Sequence, residues 1–72
     1  MLRSAAHMVS SLLRRHDFSL AKPVEARFCT NEHGSSGIAV TVQLRDPRHA
    51  GAARALLVER FGGAAVDDFE VA

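Results

Sequence analysis

The chain has no tryptophan and no tyrosine, and only one cysteine and two prolines in 72 residues. Each shortage excludes something. A single thiol, Cys29, cannot close an intramolecular disulfide. The four histidines, His7, His16, His33 and His49, show none of the close spacing of metal-binding motifs, so neither a metal nor any other cofactor is expected. The four phenylalanines all fall where a core or its edge is expected, which leaves no aromatic platform for stacking on bases. Apolar runs stay far short of the roughly 20 residues that a spanning helix needs, so no membrane association is expected. Nine Lys and Arg against eight Asp and Glu leave the chain nearly neutral, without the basic excess of a typical nucleic-acid-binding domain.

Size sets the next limit. Residues 1–72 make a single domain, and a domain of about 60 residues buries only about 60% of the surface its unfolded chain exposes. Disulfide and metal staples are not on offer. A second chain, either another copy or a heterologous protein, is the remaining source of extra burial.

The stretch "MLRSAAHMVSSLLRRH" carries arginine, serine and apolar residues but no acid before Asp17, the composition of a mitochondrial transit peptide, which would direct the chain to the matrix. The competing reading, preferred here, is an integral first helix in a cytoplasmic protein. Ser4 is a suitable cap, and Ala5, Met8, Val9, Leu12 and Leu13 recur at helical spacing as one buried stripe. Arg14, Arg15 and His16 follow in the last turn, where positive charge complements the helix dipole. Pro23 then forces Lys22 toward extended geometry, and Phe18 and Leu20 fold back over the edge of the core.

Two strands follow. From Val24 to Thr30, Val24, Ala26 and Phe28 alternate with Glu25, Arg27 and Cys29; from Ile38 to Leu44, Ile38, Val40, Val42 and Leu44 alternate with Ala39, Thr41 and Gln43. They form an antiparallel hairpin around "NEHGSSG", long for such a turn. Asp46 as cap and Pro47 at the first position open a second helix, whose Ala50, Ala53, Leu57 and Phe61, with Leu56 beside them, make its inner face. Gly62 and Gly63 are expected to end it in the left-handed conformation. The tail "AAVDDFEVA" gives a third strand with Phe69 and Val71 inward.

The expected fold is therefore α+β, in the order α-β-β-α-β, with a three-stranded antiparallel sheet and both helices packed on one face. A helix must run back along the sheet first, so the last strand is parallel to the second and can pair beside it or lie antiparallel beside the first. Charge favours the place beside the first, where Arg27 reaches Asp68 and Glu70.

The run "CTNEHGSSGIAV" invites a catalytic reading, a small thiol-dependent enzyme using Cys29 with His33 as base. Its residues serve a turn equally well: the glycines take positive φ, and Asn and Ser bond local backbone. A strand residue and a loop residue four positions on share no fixed geometry, and the Gly-Ser-Ser-Gly run lacks the spacing and the terminal Lys of a phosphate loop. The preferred function is a non-catalytic interaction module, an adaptor, inhibitor or assembly subunit. Its protein partner would sit on the open sheet face, at Arg27, Cys29, Ala39, Thr41, Gln43 and Arg45, or on a strand edge. The alternative is a nucleic-acid contact through Arg14, Arg15, Lys22, Arg48, Arg54 and Arg60 of the helices and their flanks.

Overall fold

A computed structural model describes residues 2–30, 34–62, 66 and 68–72. The elements are a helix α1 (Leu2–Arg15), strands β1 (Glu25–Thr30) and β2 (Ser36–Val42), a 3-10 turn over Pro47–His49, a helix α2 (Ala50–Phe61) and a strand β3 (Asp68–Val71). The class is α+β, with two helices and a three-stranded mixed sheet.

Amphipathic spacing places Val9, Leu12 and Leu13 of α1 and Ala53 and Leu57 of α2 against Ile38, Val40, Val42 and Leu44 in one buried cluster with Val66 and Phe69. Met8, expected in the stripe, is 52% exposed instead, because that side of α1 borders a cleft facing α2. Ser4 lies inside the helix and not at its cap, since α1 begins at Leu2. At the other end the chain reverses through Asp17 at φ 64, the left-handed region, with Phe18 N–H donating to Leu13 C=O (2.9 Å) and Asp17 N–H to Arg14 C=O (3.1 Å). This pair of bonds is a Schellman cap, and it folds Phe18 onto the core as such caps do.

The sheet departs from the expected one. Its order is β1-β2-β3, with β2 central: β1 pairs with it antiparallel, from Glu25 opposite Thr41 to Thr30 opposite Ser36, whereas β3 pairs with it in parallel, Val40 opposite Phe69. The sheet is thus mixed and not antiparallel, and β3 lies beside β2 and not beside β1. The physical reason is the crossover. A helix that returns the chain along the sheet delivers the next strand parallel to the one it left. The free edge of β2 then accepts β3, and this buries Phe69 beside Val40.

Two helix ends also differ. Asp46 caps as expected, its Oδ1 accepting from Arg48 N–H at 3.1 Å, but the first turn is 3-10 and the α-helix starts at Ala50. Gly62 ends α2 in an extended conformation (φ −64, ψ 133), not a left-handed one, and Gly63 lies outside the described residues. Gly62 is needed for space: a Cβ there would collide with the carbonyl oxygen of Val58, which its own N–H reaches at 2.8 Å.

Between α1 and β1, the segment around Leu20 continues the hairpin. Leu20 faces Leu44 antiparallel, Ala21 N–H donates to Gln43 C=O (2.8 Å) and Arg45 N–H to Ser19 C=O (3.0 Å). The chain then bows out through Lys22 and Pro23 before β1 begins at Glu25, consistent with proline's missing donor.

Candidate interaction face of the sheet

Alternation along β2 sends Ile38, Val40 and Val42 into the core and Ala39 and Thr41 to the opposite side. Past the strand, buried Leu44 between exposed Gln43 and Arg45 keeps the same sense. The register sets Arg27 beside Ala39 and Asp68, and Glu25 beside Thr41 and Glu70. Five of the six expected face residues, Arg27, Cys29, Thr41, Gln43 and Arg45, are exposed or half-buried; Ala39 is only 2% exposed. The described helices bury their side chains in the cluster on the other side. Across β2, Arg27 Nη2 donates to Glu70 Oε1 at 3.2 Å.

Phe28 is the residue that sequence reasoning misplaced. It was expected in the core and is 62% exposed, since α1 covers the start of β1, where Leu2 and Ala6 border a cleft with Val24 and Ala26, and not its end. The alternation does put Phe28 on the helix side, but a strand pattern names a side and not what lies over it.

Cys29 is a half-buried free thiol. Its expected companion His33 lies outside the described residues. Among the described residues no group of three or more His, Cys, Asp or Glu is placed to hold a metal ion, and no helix is long and apolar enough to cross a membrane.

The six basic residues of the nucleic-acid alternative border different clefts or are already paired. Arg14 and Lys22 border a cleft beside α1 (about 480 Å³), Arg15 and Arg60 border another between the helix ends (about 400 Å³), and Arg54 lies near Thr41 and Gln43 by the end of β3. Arg48 is bound to Asp46: its Nε donates to Oδ1 at 3.0 Å and its Nη2 to Oδ2 at 2.9 Å. These bonds hold the Asp46 carboxyl below its usual range, with the Arg48 side chain the largest cause and its backbone N–H the next, and raise the Arg48 guanidinium in turn.

Compared with protein families, curated proteins and solved structures, the chain matches none of them.

Proposed function

We propose that this chain is a small non-catalytic protein-interaction module that binds a protein partner through the open face of its sheet or the edge strand bordering it. One observation carries the reading: the sheet side bearing Arg27, Thr41 and Glu70 has both helices packed on its opposite side, while the edge strand β1 displays Phe28 at 62% exposure. An open face with a small, nearly dry centre at Ala39 and charges around it suits a packed protein contact, and an unpaired edge suits strand addition.

The nucleic-acid alternative has less support, because Arg48 is already neutralised by Asp46 and the remaining cations are divided among separate clefts. Thr41→Arg tests the preferred reading. Thr41 is flanked by Glu25 and Glu70, so an arginine there is compatible with the folded monomer but fills the face. Affinity capture with the two proteins side by side should show a partner retained by the wild type and lost by the variant, at unchanged melting temperature. Identical capture by both would overturn the open-face reading.

A further inference from the structure

We propose that the partner at the β1 edge is a second copy of this chain, and that the two β1 strands pair antiparallel about a twofold axis at Ala26. This rests on the reading of the chain as an interaction module and names its partner. The edge of β1 away from β2 is unpaired among the described residues, and at the start of β1 a cleft of about 470 Å³ lies between Leu2, Arg3 and Ala6 of α1 and Arg27, Thr41 and Glu70 of the sheet.

The register follows from the sequence of the strand. A twofold axis normal to the sheet keeps each residue on its own side, so residues that face each other across the axis must both be even-numbered, on the helix side, or both odd-numbered, on the open side. With Val24 counted before the strand, only three centres pair five or more of residues 24–30. With Arg27 at the axis, the guanidinium meets its own copy, which is repulsive. With Phe28 at the axis, Arg27 faces Cys29 of the second copy and gains no charge partner. With Ala26 at the axis, the small side chain meets itself, Glu25 faces Arg27 of the other copy twice, and Val24 faces Phe28 twice.

That last register satisfies both charges and covers the exposed phenylalanine. Charges on an edge strand ordinarily block pairing with other strands. Here Glu25 and Arg27 stand symmetrically about Ala26, so they attract in this alignment, whereas in the Arg27-centred one Arg27 meets its own copy and Glu25 faces Cys29. In this register Arg27 exchanges its exposed bond to Glu70 for one to Glu25 of the other copy.

Sedimentation equilibrium over a dilution series tests this with the full chain. The wild type should be a concentration-dependent dimer. Glu25→Arg and Arg27→Glu, each alone, place like charges together twice and should each raise the dimer Kd about tenfold or more. Mixed in equal amounts, the two variants should associate again, as hetero-pairs, because each supplies the charge the other lacks. Melting curves at concentrations where all are monomeric should show each variant folded, with no more than the small shift expected from loss of the exposed Arg27–Glu70 pair, which separates association from folding. A wild type that stays monomeric at the highest concentration overturns the dimer while leaving capture of a heterologous partner as a separate test of the open face. A dimer whose Kd ignores both charge reversals overturns this register.

Discussion

Arg27 of β1 and Glu70 of β3 form an ion pair at 3.2 Å although β2 lies between their strands. Strands two apart in a sheet are separated by about 10 Å, a gap that an arginine and a glutamate close only when the residues beneath are small. Ala39 and Thr41 supply that condition. The pair is open to water, with its side chains 63% and 55% exposed. Glu70→Gln should therefore change stability by less than about 1 kcal/mol in urea denaturation. A loss several times larger would mean that the pair organises the sheet, which its exposure argues against.

The same pair shows what the sequence discloses and what it does not. Charge pattern does bring Arg27 to an acid of the last strand, but adjacency inferred from charge places β3 on the wrong side of β2. An arginine's reach covers two strand spacings, so its partner does not reveal strand order. Elements set by local chemistry are legible: alternation marks β2, and Asp46 followed by Pro47 marks the start of the second helical segment. The exposure of Phe28 is not legible, because it depends on where α1 lies along β1. Nor is the role of Gly62, whose requirement for space arises only when the chain closes against the Val58 carbonyl. Of the open face, the alternation gives the side on which each residue lies, whereas the burial of Ala39 on that side is not legible from it.

Gly62→Ala follows from that contact. The added methyl must displace backbone and not a flexible side chain, so thermal or urea denaturation should show a loss of about 1–3 kcal/mol. A neutral outcome would mean that the end of α2 relaxes freely.

Asp17→Gly should act in the opposite direction. Asp17 holds a left-handed conformation that costs glycine little, and its carboxylate sits at the negative end of the α1 dipole. Replacing it should stabilise the fold by about 0.5–2 kcal/mol, read as a higher urea midpoint at unchanged slope. A lower midpoint would show that the aspartate side chain contributes more than its backbone strain costs.

Asp46 gives a pH dependence with a defined sign. Its folded-state pKa lies below the unfolded value of about 3.9, so the charged form stabilises the fold above that value, and the contribution is lost as pH falls through the depressed one. Asp46→Asn keeps an oxygen for the Arg48 N–H but removes the charge. Wild type should melt above the variant by a constant margin at neutral pH, and the margin should close in acid below about pH 4. A margin that persists in strong acid would assign the effect to the cap's shape and not to its charge.

The core prediction concerns Leu13 and Leu57, both fully buried. Truncating either to Ala should cost about 2–5 kcal/mol, a large part of the stability of so small a domain. Because Leu13 belongs to α1, the result also bears on the first sixteen residues: a detachable presequence would tolerate the change, whereas a structural helix would not.

The central claim, that the open side of the sheet and its β1 edge bind protein, is tested most directly by nuclear magnetic resonance on isotopically labelled chain, comparing its amide spectrum alone with its spectrum when partner is bound, or when dilute and when concentrated. The account predicts shifts gathered at Arg27, Phe28, Cys29, Thr41 and their strand neighbours, with the amides of Arg14, Arg15 and Arg60 left in place. Shifts confined to those arginines, appearing on addition of a nucleic acid and suppressed by salt, would contradict it.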